Sequence, residues 1–415
     1  MSLQAQDLPR NDQTRGVRRI DLASAHPASS EIARGINRDI VLELIRFNQP
    51  LARAELSRLS GLRPSTVSKI VEQLVQEKWV REGAIIKAPR GRPSTMLWVN
   101  SDMVTFAIDL RPDRAILAIV DVSGRFLSRE TIPAFSDLSR TVLQIGKRMR
   151  ALRLEHAGKS FEGVGVSLPG RVHPVTQRLL LAPNLKWHDF DLKGVLEQQS
   201  GLQVEIDNDA NVCLISELWH GRLQGAKNIV LIAVAEGVGA AILAGGHMQS
   251  GAHGLAGEFG HVSIDPNGPL CECGQKGCWE MFASSRAAIR LFNASGSETV
   301  SSIYELVSRA KDGDSKAIAA LTRQAQALGD GLRLVTATLS PELILVVGDI
   351  TATWDLCGPI IEEKMRASML AGSPPQLRAA GDAELARLSG SAAMLLQRHA
   401  SYHHSTHEPQ QRAMA

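Results

Sequence analysis

Three of the five cysteines in this 415-residue chain fall within eight positions, in the stretch HVSIDPNGPLCECGQKGCWE at residues 261–280. Thiols this close together are bridged, bound to something or left as a reactive liability, so the stretch restricts its local fold more than any other. His261, Cys271, Cys273 and Cys278 offer one imidazole and three thiols at spacings of ten, two and five. Soft sulfur donors favour tetrahedral Zn2+, and Gly274 and Gly277 let the backbone close around an ion. Four protein ligands leave no open coordination position, so the expected cofactor is a structural Zn2+. The alternative is a set of unpaired buried cysteines. A disulfide scaffold is not expected, because the cysteine count is odd and MSLQAQDLPRNDQTRGVRRI at the start carries charges throughout, unlike a signal peptide.

The length suits two or three domains, and no apolar run approaches the roughly 20 residues a membrane helix needs. A cytoplasmic location, with no membrane partner, is expected. The net charge of +3 is unevenly spread: residues 1–100 carry 16 Lys and Arg against 10 Asp and Glu, so the excess lies at one end, where a polyanion would be met.

Residues 1–34 show no sustained periodicity and read as a flexible arm. From residue 35 the pattern becomes helical. Ile36, Ile40, Leu44 and Phe47 form one stripe, Leu51, Leu56 and Leu59 a second, and Ser60-Gly61 stops it. In RPSTVSKIVEQLVQEKWV, Val67, Ile70, Val71 and Leu74 share one side, while Arg63, Ser65, Thr66, Ser68 and Lys69 face the other. Short hydroxyls and cations at a helix start suit phosphates and major-groove base edges. REGAIIKAPRGRPSTMLWVN then reads as a hairpin whose tip bears Arg90 and Arg92, suited to the DNA backbone or a narrow minor groove. Residues 35–99 are therefore expected to be a winged helix-turn-helix that binds double-stranded operator DNA, the alternative being a small helical docking module.

Beyond residue 100 the pattern is α/β. MVTFAIDL, AILAIVD, FLSRETI and FEGVGVSLPG read as strands, with a helix over 137–155; VEIDNDAN leads from a strand into another helix. IVLIAVAEGVGAAILAGGHM and PELILVVGDI partly repeat the scheme. Two lobes are expected, 100–210 and 211–384, the second bearing the zinc knuckle, with a cleft between them. A helix near 385–397 is a candidate to return to the first lobe, and 398–415 reads as a frayed tail.

GEFGHVSIDPNGPLCECGQKGCWE at 257–280 closely resembles the signature of the ROK family, which contains bacterial sugar kinases and sugar-responsive transcriptional repressors. DNDAN at 207–211, VSLPG at 166–170 and EGVGAAILAGG at 236–246 match it in order, and the resemblance covers roughly 101–397. It implies a two-lobed, actin-like or sugar-kinase-like fold with ribonuclease-H-like lobes. It implies that Asn208, Asp209, Glu258, His261 and Glu280 hold a monosaccharide or sugar derivative, His261 giving one ring nitrogen to the metal and the other to the sugar. Other uses stay open: Asn208 and Asp209 could only cap a helix, and Glu258 and Glu280 could be solvated. A homodimer or dimer of dimers is expected, and a further regulatory protein partner is conceivable.

Kinases of this family resemble one another at a phosphate loop, Asp-x-Gly-x-Thr. Here the stretch is AIDLRPDRA: Asp109 remains, but Arg111 and Pro112 occupy the glycine region and Asp113 stands at the threonine. Proline removes a backbone donor, and Asp113 adds negative charge where phosphates would sit. The expectation is a regulator without kinase activity, and the resemblance implies a repressor; the competing reading is an ATP-dependent sugar kinase with an appended DNA-binding domain, in which Asp209 would be the catalytic base.

Overall fold

The computed structural model describes residues 30–400, apart from 87–93, 136, 183–186, 221–222, 224, 297 and 368–372. Most of the expected N-terminal arm, the C-terminal tail beyond Ala400 and the wing-tip arginines Arg90 and Arg92 lie outside the described residues.

The first segment contains α1 (Ser30–Asn48), β1 (Leu51–Ala52), α2 (Arg53–Ser60), α3 (Pro64–Gln76), β2 (Val80–Ile86) and β3 (Ser94–Val99). Gly61 ends α2 at φ 70°, a conformation that costs glycine little, and its N–H reaches Ser57 O at 3.0 Å. Pro64 opens α3 at a position where its missing donor has no helical acceptor to lose. The apolar face of α3 is buried as expected: Val67, Ile70, Val71 and Leu74 lie in the core. The face of α1 differs from expectation. Val41, Leu42 and Ile45 are buried, whereas Ile40 is 40% exposed and Phe47 60%. Leu59 of α2 is likewise 41% exposed. Alpha1 carries apolar residues on more than one side, and its packing partners, not spacing alone, select the buried one.

The rest is built on two five-stranded sheets. The first joins β4 (Met103–Leu110), β5 (Arg114–Asp121) and β6 (Phe126–Pro133) as an antiparallel meander. After α4 (Leu138–Glu155), β7 (Ser160–Leu168) pairs parallel with β4. A small side sheet of β8 (Arg171–Val172), β9 (Leu179–Ala182) and β10 (Trp187–Phe190), then α5 (Leu192–Ser200), precede β11 (Val204–Asn208), parallel to β7. Alpha6 (Asp209–His220) leaves from β11.

The second sheet has the same plan: a meander of β12 (Ile229–Val234), β13 (Val238–Ala244) and β14 (His247–Met248), then parallel strands. Between them come α7 (Glu280–Ala283), α8 (Ser285–Asn293), α9 (Ile303–Lys311) and α10 (Ser315–Leu339). Beta15 (Leu343–Gly348) pairs with β12, α11 (Trp354–Arg366) follows, β16 (Gln376–Ala379) pairs with β15, and α12 (Ala383–Ala400) ends the series.

The final helices of the two halves exchange places. Ala210, Cys213 and Leu214 of α6 pack under the second sheet, against Leu231, Ala241 and Leu345. Leu388 and Ala392 of α12 pack under the first sheet, against Ala107, Ile116 and Ala118. Each fully buried leucine contributes about 1.5–3 kcal/mol of hydrophobic stabilisation, so the exchange ties the lobes together strongly. Their close approach depends on glycine: a Cβ on Gly390 would stand 2.0 Å from Val212 O, and one on Gly165 1.9 Å from Ser391 O.

Candidate functional site

Strands β4, β7, β11 and β12 direct their C-terminal ends into one cleft, the place where open α/β sheets gather ligands. It is lined by Arg111 after β4, Pro169 and Gly170 after β7, Asn208 and Asp209 at the β11–α6 junction, and Glu236 and Gly237 after β12. Glu258, His261 and Glu280 close its other side, so all five residues singled out for sugar contact line the same cleft. Asn208 Oδ1 accepts from Ala210 N at 2.8 Å, and its Nδ2 donates to Gly170 O at 2.7 Å. It therefore does cap α6, but the second lone pair and second amide hydrogen leave it able to contact a polyol.

Arg111 spans two carboxylates at the cleft. Its Nη1 donates to Asp209 Oδ2 at 3.2 Å and its Nε to Asp109 Oδ2 at 3.4 Å. Asp109 is 0% exposed and also accepts from Arg387 Nε of α12 at 2.8 Å. Burial pushes the Asp209 carboxyl above its ordinary value, with Arg111 and then Arg387 pulling it back. Burial works against the charge on Arg111, but Asp109 and Asp209 outweigh it, so the guanidinium is held firmly protonated. Asp113 is exposed and paired with Arg114 at 2.9 Å. The buried Arg111 thus shares its charge between two carboxylates.

The thiol cluster is built by a tight chain reversal. Gly257, at φ 93°, starts a single 3-10 turn over Glu258–His261. Bridges Ser263 to Cys278 and Leu270 to Lys276 fold the segment back on itself. Gly277 is required there, because a Cβ would lie 1.6 Å from Asp265 O. The donor atoms of His261, Cys271, Cys273 and Cys278 all lie within 4.8 Å of one another. Cys273 and Cys278 Sγ are 3.5 Å apart, and His261 Nδ1 is 3.6 Å from Cys271 Sγ. Sulfurs bound tetrahedrally at about 2.3 Å from one ion stand just under 4 Å apart, so the cluster fits a metal of that geometry. His261 turns Nδ1 to this cluster, while Nε2 faces Glu258 Oε2 at 3.7 Å on the cleft side. Trp279, next in sequence, is buried; its Nε1 donates to Ala327 O at 2.8 Å, pinning the knuckle to α10.

Arg63, which precedes α3, and Ser65 and Lys69 on α3 are exposed, and Thr66 and Ser68 are half-buried, away from the buried face of Val67, Ile70, Val71 and Leu74. Two participants escaped the sequence reading. Arg387 lies 278 positions from Asp109, and no local pattern links them. Arg111 was conspicuous as a departure from glycine, but its pairing with Asp209 depends on folding across 98 positions.

A two-lobed, sugar-kinase-like α/β body with exchanged helices, an interlobe cleft and a helix-turn-helix segment at its front defines the class of protein. Residues 105–398 match the ROK family, and the chain belongs to it. It is 28% identical to the xylose repressor of Bacillus spizizenii over 354 residues, which cover 84% of this chain and 90% of that repressor. It is 32% identical to a glucokinase of Halalkalibacterium halodurans over 316 residues, covering 71% of this chain and 94% of the enzyme. The crystal structure of a ROK family transcriptional regulator, a homolog of the E. coli MLC protein, superposes with a TM-score of 0.73 at 26% identity, covering 89% of this chain and 99% of that one.

Proposed function

We propose that the chain is a sugar-responsive transcriptional repressor that binds operator DNA through α3 and the β2–β3 wing. A monosaccharide or close derivative in the cleft, contacted by Asn208, Asp209, Glu258, His261 and Glu280, changes its operator affinity. The His261, Cys271, Cys273 and Cys278 cluster carries structural Zn2+, which fixes the imidazole orientation and so the Nε2 contact. Arg63, Ser65, Thr66, Ser68 and Lys69 approach the duplex, with Arg90 and Arg92 from the wing. A two-fold dimer would set two such helices on half-sites one or more helical turns apart. The protein acts in the cytoplasm. Its likeness to the xylose repressor covers 84% of the chain, more than the residues 105–398 that match the ROK family.

The observation that carries the reading is the Arg111–Asp209 ion pair. It leaves a cleft furnished for hydroxyls but places a guanidinium already paired with two carboxylates where a nucleotide phosphate would need free donors. The experiment is selection of bound genomic fragments, followed by anisotropy titration with a sugar panel. A specific duplex should bind, and one sugar should shift its affinity by about 5- to 150-fold, the usual range for coupled sites. Glu258→Gln should abolish most of that sugar response with metal content unchanged.

The kinase reading keeps one specific support, the retained Asp209 in a chain 32% identical to a glucokinase. ATP-dependent phosphorylation of the responding sugar at ordinary kinase rates, on the order of 1–1000 per second, would establish it over the regulator.

A further inference from the structure

A buried cation joins the DNA-facing segment to the helix that leaves the cleft. Arg46, in the last turn of α1, is only 8% exposed. Its guanidinium lies 3.8 Å from the centroid of the Trp219 ring, and Nη2 donates to the Trp219 carbonyl. Glu43, one turn earlier on α1, holds the same group at 3.2 Å. Trp219 is in the last turn of α6, and the first residue of α6 is Asp209. A helix of 12 residues spans about 18 Å, so a single rigid element connects the cleft to Arg46.

The surroundings make that element an interface on both sides. Ala210, Cys213 and Leu214 of α6 face the second sheet. Val212, Ile215 and Trp219 instead share one continuous core with Val41, Leu42 and Ile45 of α1 and with the buried face of α3. Alpha12 reinforces the route: Arg387 grips Asp109 at the cleft, and Ala393 and Met394 enter the same core as α1. Gly390 brings α12 so close to Val212 O that a Cβ there would stand 2.0 Å from it, so the two helices pack backbone against backbone. A guanidinium stacked on an indole while hydrogen-bonded to the backbone beside it is directional, unlike the aliphatic contacts around it, so it fixes the angle of α1 on α6.

We propose that α6 carries the ligand signal from Asn208 and Asp209 to the DNA-binding segment, and that Arg46 on Trp219 is the joint that transmits it. The inference rests on the regulatory reading of the cleft. Arg46 is a positioning residue: it touches neither sugar nor DNA, but sets the orientation of α1 and, through their common core, of α3. Coupling of this kind is reciprocal, so operator DNA must alter sugar affinity by the same factor by which sugar alters operator affinity.

The test measures operator affinity with and without the responding sugar, and sugar affinity with and without operator, in the full chain and in Arg46→Met, Trp219→Leu and Arg46→Lys. Sugar affinity without DNA should stay within about threefold of the parent in all three variants, while the coupling factor falls from about 5–150 to below about 2 in Arg46→Met and Trp219→Leu. Arg46→Lys should recover part of it, because a cation still reaches the indole face. Parental coupling in a folded Arg46→Met chain overturns the joint, as does loss of sugar binding in parallel with coupling. Hydrogen exchange on the parent protein decides the matter if the variants do not fold: sugar alone should change protection in residues 215–220 and 41–48, and unchanged protection in both overturns the proposal. A parent chain that binds DNA and sugar without coupling, or fails to bind one of them, overturns the regulatory reading and the joint with it.

Discussion

Arg111 donates to Asp209 across 3.2 Å, setting a fixed positive charge against the carboxylate that begins α6. That carboxyl is raised by burial and held back chiefly by this guanidinium. Replacing Arg111 by methionine therefore raises the Asp209 pKa further. Sugar contact through a carboxylate acceptor is lost as pH falls through that pKa, so binding should fail at higher pH in Arg111→Met than in the parent. Calorimetric titrations between pH 5 and 8 compare the midpoints, and superimposable profiles would show that Arg111 does not control this carboxylate.

Cys278 is fully buried beside Cys273, within the four-residue donor cluster. Cys278→Ser should lower bound zinc from about one ion per chain to a small fraction and loosen the turn that aims His261 Nε2 into the cleft. The sugar response should decline with it. Cys357 lies in the separate core around α10 and α11, so Cys357→Ala should keep its zinc. Metal analysis of protein purified under reducing conditions distinguishes the two; stoichiometric zinc in Cys278→Ser would remove that thiol from the ligand set.

Much of this arrangement was legible because its signals are local. The sheet strands announce themselves by largely apolar runs, as in MVTFAIDL, whose eight residues are all buried in β4. The His–Cys cluster is legible because its three thiols sit within one chain reversal. The side chains of α1 were read less well: Phe47 fits the helical stripe, yet is 60% exposed, since Val41, Leu42 and Ile45 meet α6 and α3 instead. Arg387 on Asp109 and Arg46 on Trp219 were illegible for a different reason. Their partners are 278 and 173 positions away, and neither arginine carries a local mark that separates it from a solvated one.

The exchange of α6 and α12 between lobes requires the helices to touch backbone to backbone. A methyl on Gly390 would meet Val212 O at 2.0 Å and the Val212 Cγ1 at 2.8 Å, and backbone cannot swing away as a long side chain could. Gly390→Ala should cost about 1–3 kcal/mol, the usual penalty for overpacking a tight core. Gly158→Ala, with nothing within 4 Å of the added Cβ, is the matched control and should leave the melting temperature nearly unchanged. Equal melting temperatures in the two variants would mean that the helices can separate without loss.

Asp39 of α1 gives stability a pH dependence of predictable sign. Burial raises its pKa from 3.8 to about 6, against the pull of Arg38, whose Nη1 lies 3.5 Å away. The folded chain thus holds this proton to higher pH than the unfolded chain does. Its contribution is fully present below about pH 3.8 and is lost as pH rises through 6. Asp39→Asn carries no such proton, so it should melt above the parent at pH 7.5. The difference should shrink as pH falls through 6 and vanish near 4, where the parent carboxyl is protonated in both states. Every other titrating group is common to both chains, so the difference in melting temperature isolates this one. A difference that stays constant from pH 7.5 to 4.5 would instead assign the effect to altered packing or helix propensity at position 39, with no role for ionisation.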